Sequence, residues 1–88
     1  MADEALKRKI YDLLRHGYFK DPDDYVYVSD GMGDNVHVVL VSPKLEGRRS
    51  KERDDLIWSE LLKGLQPEEW GRVSLSIGYS PEELKALV

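Results

Sequence analysis

Residues 44–53 hold the densest group of positive charges in the chain. The basic residues are Lys44, Arg48, Arg49, Lys51 and Arg53. Five basic and two acidic residues give the segment a net charge of +3, in a chain whose net charge is −4. Arginine side chains beside the free N–H groups of a helix start favour binding of phosphate or carboxylate groups. With Gly47 permitting close approach and Ser50 as a candidate N-cap, the segment predicts an anion-binding or partner-binding site.

The same segment also permits an interpretation without function. It is then a solvated charged loop, and nearby acidic residues balance its cations. Those acidic residues are Glu46, Glu52, Asp54 and Asp55. Against a purely structural role, cations at a helix start oppose the helix dipole, at a cost of about 0.3–1 kcal/mol each.

Catalytic groups are scarce. The chain has no cysteine, which excludes disulfides, thiolate nucleophiles and thiolate metal ligands. It has no Ser-His-Asp motif, no phosphate-binding loop and no cluster of metal-ligand residues. Asp54 and Asp55 are adjacent, so on a helix they point to different sides and cannot act as an acid–base pair. His16, at a predicted helix end, is explained as a partner for the helix dipole. We expect no enzymatic activity.

Length and composition indicate one small folded domain over residues 1–88. With 41% hydrophobic and 34% charged residues, the chain resembles folded rather than disordered proteins. It opens with the acidic sequence Met1-Ala2-Asp3-Glu4 and has no run of about 18 apolar residues. We therefore expect a cytoplasmic protein without a signal peptide or membrane span.

The first half of the chain predicts a helix and two strands. Apolar residues at helical spacing predict a helix over residues 3–16. These are Leu6, Ile10, Leu13 and Leu14. After a turn at 21–24, residues 25–28 have the aromatic and β-branched composition of a strand, and 29–35 that of a loop. Residues 36–41 are almost all apolar, which predicts a central strand forming a hairpin with the first.

The second half predicts a helix, a single helical turn, a strand and a last helix. Capped by Ser50, the second helix has a predicted buried stripe of Ile57, Trp58, Leu61, Leu62 and Leu65. Residues 67–70 form the single turn, between Pro67 and Gly71.

A third strand follows over residues 72–78. Its alternation of apolar and polar residues predicts that Val73, Leu75 and Ile77 face the core. The sequence Ser80-Pro81-Glu82-Glu83 matches a capping box, which starts a final helix ending near Leu87. The order α-β-β-α-(short turn)-β-α predicts an α+β fold with helices packed on one face of a three-stranded sheet and the other face open.

This order and five short segments resemble the BolA-like family. The segments are residues 28–33 (Val-Ser-Asp-Gly-Met-Gly), 39–42 (Val-Leu-Val-Ser), 45–48 (Leu-Glu-Gly-Arg), Arg53 and 80–83 (Ser-Pro-Glu-Glu). The resemblance covers residues 4–86 and implies a class II KH-like fold. It also implies a small non-enzymatic protein that pairs with a monothiol glutaredoxin around a shared two-iron cluster, or, as for some members, binds DNA.

The resemblance also shows where cluster ligands would be. In cluster-binding members, a Cys or His comes from the loop between the first two strands, and a His opens the third strand. Met32 and Arg72 occupy those positions here, and the family's Arg-His dipeptide is Arg53-Asp54. A thioether binds such clusters weakly and a guanidinium stays protonated, so we expect no bound iron–sulfur cluster and no other cofactor. A shifted alignment would leave His37 as one ligand; otherwise it is a sheet-surface imidazole.

Three hypotheses for function follow. The first is a protein-docking module, with a partner such as a monothiol glutaredoxin. Its predicted contact residues are Asp30, Gly31, Met32, Gly33, Gly47, Arg48, Arg49, Lys51, Arg53 and Arg72. The second is a nucleic-acid-binding module that uses residues 44–53. The third is a structural domain whose partner the sequence does not indicate.

Two features bear on the nucleic-acid hypothesis. No two glycines are spaced as in the Gly-x-x-Gly loop of KH domains, which argues against that mode of binding. Tyr25, Tyr27 and Tyr79 offer surfaces for base stacking, although tyrosine in strands more commonly serves packing. The sequence does not predict the oligomeric state.

Overall fold

The computed structural model describes residues 2–86, which form four α-helices, a short 3₁₀ helix and three strands. In chain order these are α1 (Glu4–Arg15), β1 (Tyr25–Asp30), β2 (Val36–Val41), the 3₁₀ helix Pro43–Leu45, α2 (Ser50–Leu61), α3 (Pro67–Trp70), β3 (Val73–Tyr79) and α4 (Pro81–Ala86). The predicted α+β class and order of elements are therefore confirmed. The predicted end of the last helix, near Leu87, lies outside the described residues.

The three strands form one mixed sheet in the order β1-β2-β3. β1 pairs antiparallel with β2, placing Tyr25 opposite Val41, whereas β3 pairs parallel with β2. The parallel connection is possible because α2 and α3 carry the chain back along the sheet. β2 is the central strand, as its apolar sequence predicts.

The core lies between one face of the sheet and helices α1 and α2. Its buried apolar residues are Ala2, Leu6, Ile10, Leu14, Phe19, Val26, Val36, Val38, Leu40, Leu45, Ile57, Leu61 and Leu65. α1 begins where Asp3 caps it by accepting a hydrogen bond from the Ala5 N–H. Of the stripe predicted for α2, Ile57, Leu61 and Leu65 are buried and Trp58 packs against the core, but Leu62 is 55% exposed.

Several element boundaries differ from those predicted, and two of the differences bear on the predicted sites. β1 continues through Ser29 and Asp30, which were predicted as loop, because both pair with β2. Ser50 is the first residue of α2 rather than its N-cap. Arg49 takes the N-cap position, and its N–H donates to the Glu52 carboxylate at 3.0 Å.

The prediction that Val73, Leu75 and Ile77 face the core is wrong for the last two. Val36 pairs with Val73, but the next β2 residue, His37, pairs with Leu75, so Ser74 is an extra residue in β3. Such a bulge reverses the alternation of side chains beyond it. Leu75 and Ile77 therefore lie on the outer face, and Leu75 is 43% exposed.

The outer face of the sheet is open, as predicted, and its strand residues include no Asp, Glu, Lys or Arg. The strand register assigns to this face Tyr25, Tyr27, Ser29, His37, Val39, Val41, Leu75, Ile77 and Tyr79. Tyr25 and Tyr27 are 56% and 49% exposed, and their rings stack at 6.5 Å. Helices α1 and α2 cover the inner face, whereas α4 borders the outer face. There Leu84 of α4, Tyr25 and Tyr27 line a groove of about 430 Å³.

Within residues 2–86, no helix is both long enough and apolar enough to cross a membrane.

The bulge in β3 gives a test by matched substitutions. Leu75→Ala should lower the free energy of unfolding by less than about 1 kcal/mol, because Leu75 lies on the open face and is already 43% exposed in the folded protein. Leu40→Ala, the same change on the inner face of β2, should lower it by about 2–5 kcal/mol, because Leu40 is fully buried. Urea unfolding measures both values, and equal losses would contradict the bulge.

Candidate functional site

The basic segment, residues 44–53, spans the 3₁₀ helix, a short loop and the start of α2. Gly47 adopts φ of +74°, which favours glycine, and the space where a side chain would stand is open. The turn lets Arg48 and Arg49 lie beside the first N–H groups of α2.

Lys44, however, belongs to the interior of the protein. Its ammonium pairs with Asp24 at 2.7 Å and Asp21 at 3.0 Å, and it donates to the Tyr18 carbonyl. Burial acts to raise the pKa of Asp24, but hydrogen bonds from Lys44 and Ser42 outweigh it and hold that pKa below its ordinary value. Because Asp24 needs this cation, Lys44 is not available to an external anion.

Arg53 is also committed to internal contacts, contrary to its predicted role in binding. Its side chain is only 12% exposed, and it donates to the Gly78 carbonyl at 2.9 Å and to Glu83 at 2.6 Å. A third bond joins its Nε to the Arg48 carbonyl at 2.9 Å. Arg53 therefore joins α2 to the end of β3 and the start of α4.

The three remaining cations of the basic segment, Arg48, Arg49 and Lys51, are exposed. Lys51 forms an ion pair with Asp55 at 3.2 Å, one turn along α2. A pair this exposed contributes little to stability and is readily exchanged for another partner. The structure thus reduces the basic segment from five candidate cations to three.

The second predicted site is the loop Asp30–Gly33, which begins at the last residue of β1. Asp30 accepts a hydrogen bond from the Ala2 N–H at 3.1 Å and pairs with Lys7 at 3.0 Å. The Lys7 ammonium and the Ala2 N–H hold the pKa of Asp30 below its ordinary value. Asp30 consequently fixes the start of α1 against the end of β1.

His37 packs against Gly31 in this loop. A Cβ built on Gly31 would lie 2.9 Å from the His37 ring and 3.1 Å from the Ser74 hydroxyl, so a larger residue would displace the imidazole. Hydrogen bonds from the Gly31 N–H to Asn35 and from the Asn35 N–H to Met32 close the loop. His37 and the loop therefore form one small cluster at the end of the sheet.

Met32 and Arg72 occupy the two positions that the resemblance relates to cluster ligands. Met32 is 84% exposed at the tip of the loop. The Arg72 carbonyl accepts from the Val36 N–H at 2.8 Å, which places Arg72 at the same end of the sheet. Arg72 is one of the residues that line a groove with Lys9 of α1 and Glu69 of α3. Within residues 2–86, no group of three or more His, Asp or Glu residues is arranged to hold a metal ion.

The two predicted segments lie at opposite ends of the sheet. The loop and Arg72 precede β2 and β3, whereas the basic segment follows β2 and contacts the end of β3 through Arg53. β2 has six residues and so spans about 20 Å. The structure therefore does not bring the two segments together into one compact site.

Sequence reasoning missed a third surface, a groove of about 800 Å³ between α1 and the outer edge of β1. Its lining includes Arg8 and Tyr11 of α1 and residues 26–28 of β1. Period-two patterning could not identify it, because in the sequence Tyr-Val-Tyr-Val both alternating positions are apolar.

Comparison with known proteins establishes the fold. A scan of protein-family models and a search of curated proteins found no match. Among solved structures, the chain is similar to a BolA protein homologue from Coxiella burnetii, with a TM-score of 0.60 and 20% sequence identity. The alignment covers 97% of this chain and 99% of the other. The chain thus has a BolA-like fold, and the resemblance inferred from the sequence is confirmed at that level.

The pair formed by Arg53 and Glu83 gives a pH-dependent prediction. The hydrogen bonds from Arg53 and the Ser80 N–H lower the pKa of Glu83 from 4.5 to about 2. A carboxylate whose pKa is lower in the folded state stabilises that state above its unfolded pKa, and this contribution is lost as pH falls through the folded value. Glu83→Gln, which can keep the cap, should therefore lower stability at pH 7, and its difference from wild type should shrink between about pH 4.5 and 2.

Urea midpoints at a series of pH values measure this difference. Glu82→Gln is the matched control in the same turn of α4, because Glu82 is 71% exposed and pairs with Lys85 at 3.5 Å. It should have the smaller effect. A Glu83→Gln difference that stays constant down to pH 2 would show that the carboxylate is not held ionised by Arg53.

Proposed function

We propose that this BolA-fold protein is a non-enzymatic docking module, which binds a protein partner through the sheet-end cluster. We define this cluster as residues 30–33 together with His37 and Arg72. The observation that carries the proposal is a closed loop, anchored at its base, that exposes 84% of Met32. The partner class that we propose is a monothiol glutaredoxin, which the resemblance in sequence suggested.

The loop is arranged for binding before a partner arrives. Asp30 is fixed by Lys7 and Ala2, and backbone hydrogen bonds through Asn35 close the remainder. A preordered loop loses little conformational freedom on binding, which lowers the cost of association. Methionine suits such a surface, because its flexible thioether side chain adapts to irregular apolar partners.

We further propose that the chain contributes no iron ligand to a complex. The positions related to cluster ligands present a thioether at Met32 and a guanidinium at Arg72, neither of which replaces thiolate or neutral imidazole. His37 supplies a single imidazole, whose ring packs against Gly31 and approaches Ser74. Any cluster in the complex would then be held by the partner's own ligands.

The carboxylates of the interior support a role without catalysis. Asp24 and Glu60 are both buried, and burial acts to raise their pKa. In each case hydrogen bonds outweigh burial. Hydrogen bonds from Lys44 and Ser42 lower the pKa of Asp24. Hydrogen bonds from Lys63 and the Tyr18 N–H lower the pKa of Glu60. A general acid at neutral pH needs the opposite shift. These groups stabilise the fold and are not poised for proton transfer.

Titration with a cluster-loaded monothiol glutaredoxin tests the docking proposal. Isothermal titration calorimetry should show a one-to-one complex, and Met32→Asp should weaken it about tenfold, because a charge would be buried at its centre. Leu84→Asp places the same charge on an exposed apolar residue near the other end of the sheet and should leave affinity unchanged. Absence of a complex, or equal effects of the two variants, would contradict the proposed surface.

Visible absorption tests the proposed absence of ligation separately. In the complex, His37→Ala in this chain should leave the absorption bands of the cluster unchanged, because the imidazole is not a ligand. A shift of those bands with His37→Ala would show that the chain does ligate the cluster. Calorimetry therefore tests the docking surface, and visible absorption separately tests whether this chain ligates the cluster.

One observation favours nucleic-acid binding as a second candidate function. Arg48, Arg49 and Lys51 stay exposed beside the start of α2. Three cations would neutralise about three phosphates, so the logarithm of the binding constant should fall with the logarithm of salt concentration with a slope near −3. This salt dependence would be small for a nucleic-acid-binding protein, because specific binders commonly make about 6–10 phosphate contacts.

A salt titration of DNA and RNA binding decides this alternative. Under it, Arg48→Ala, Arg49→Ala and Lys51→Ala combined should reduce both affinity and salt slope. Under our leading proposal, neither the wild-type chain nor the triple variant should bind DNA or RNA measurably. Salt-dependent binding by the wild type that the triple variant loses would establish the nucleic-acid function instead.

A further inference from the structure

β1 is an edge strand, and its outward hydrogen-bonding groups can be identified from its neighbours. The Gly31 N–H donates to the Asn35 carbonyl at 2.7 Å, which continues the β1–β2 ladder by one hydrogen-bonded pair. The Val36 N–H is directed to Arg72, away from β1. Because bonded and non-bonded pairs alternate in an antiparallel ladder, Val26 and Val28 direct their N–H and C=O groups away from β2.

These groups face the groove of about 800 Å³ between α1 and β1, which has residues 26–28 in its lining. A helix beside an open strand edge forms the kind of groove in which a further strand adds to a sheet. The backbone of such a strand would bond Val26 and Val28, and its side chains would contact Tyr11 on one side and Tyr27 on the other.

The edge of β1 lacks three of the features that protect exposed strands, namely proline, lysine and a bulge. Residues 25–30 contain no proline and no lysine, and their register with β2 has no bulge. The opposite edge of the sheet does have such features. β3 contains the bulge at Ser74, and Arg53 occupies the Gly78 carbonyl. The contrast indicates that the β1 edge is kept available for pairing.

We propose that β1 pairs with β1 of a second copy of this chain, antiparallel about a twofold axis, giving a continuous six-stranded sheet. Opposite residues must point to the same face, and Val26 and Val28 must form the hydrogen bonds. One register of the two copies meets both conditions and forms hydrogen bonds through Val26 and Val28 alone. It places Val26 of each copy opposite Val28 of the other, and the two Tyr27 residues opposite each other. Four backbone hydrogen bonds then join the copies.

The side chains around this axis suit a second copy. The two Tyr27 rings meet on the outer face, where a cross-strand aromatic pair is stabilising. Tyr25 lies opposite Ser29, and Asp24 opposite Asp30, with each carboxylate already paired to a lysine of its own copy, Lys44 or Lys7.

The facing strips of α1 are also compatible in charge. The charged residues that line the groove are Glu4, Lys7, Arg8 and Asp12. Two are acidic and two are basic, so two copies bring no net charge together across the axis. The pairing uses the edge of β1 and is independent of the proposed docking function.

Sedimentation equilibrium of the wild-type chain over a concentration series tests the pairing. We expect a monomer–dimer equilibrium with a dissociation constant of about 10–100 μM, as a small interface gives. Tyr27→Lys places two ammonium groups opposite each other at the axis and should weaken dimerisation at least about tenfold. Tyr25→Lys, the same change two residues away and opposite Ser29, should have a clearly smaller effect. A wild type that stays monomeric to millimolar concentration would overturn the proposal.

Cysteine cross-linking gives a second measurement. Because the chain has no cysteine of its own, any disulfide must form through the introduced residue. Opposite Cα atoms of a non-bonded antiparallel pair lie about 4.5 Å apart, within the range of a disulfide. Tyr27→Cys should therefore form a covalent dimer when oxidised glutathione accepts the two electrons and protons, whereas Tyr25→Cys should form far less. Equal cross-linking of both variants, with circular dichroism showing both folded, would exclude this register and support association through the open face or by random collision.

Discussion

The buried carboxylate of Asp24 fixes how the first third of the chain meets the second. It lies at the start of β1 and accepts hydrogen bonds from Ser42 and Lys44, which follow β2. Removing a carboxylate from water is costly unless it is paired, so Lys44 must fold inward. The 3₁₀ helix that carries Lys44 is thereby held in place, and with it the turn at Gly47 that leads into α2. The direction of α2 thus depends on a neutralised charge.

That constraint limits what the basic segment can do. A count of charges in the sequence gives five cations over residues 44–53, but the fold uses Lys44 for Asp24 and Arg53 for Gly78 and Glu83. The remaining three, Arg48, Arg49 and Lys51, lie on the surface. The sequence therefore predicts a strongly positive segment, whereas the folded protein exposes a small patch of three cations beside the internal ion pairs of Lys44 and Arg53.

Local signals predicted the elements well, because each depends on residues close in sequence. The apolar run of β2, the spacing in α1 and the capping box before α4 all give the observed elements. What could not be predicted depends on contacts between distant residues. The alternation in β3 is regular in sequence, yet Ser74 is extra only relative to β2, so the sequence alone misplaces Leu75. The same holds for Arg53, whose partners lie 25 and 30 positions away.

Among the three surfaces of this small protein, the sheet-end cluster and the edge of β1 meet at Asp30, and their arrangement has a consequence for binding. The sheet-end cluster lies where β2 begins, the basic patch lies near where β2 ends, and the groove of β1 runs along the side. An antiparallel pairing through β1 reverses one copy relative to the other, so the two sheet-end clusters would lie at opposite ends of the six-stranded sheet. A dimer of this kind holds two docking sites that do not compete for space, and two linked partners would bind it with greater avidity than one. Self-association would then increase the effective strength of docking without altering any residue of the docking site.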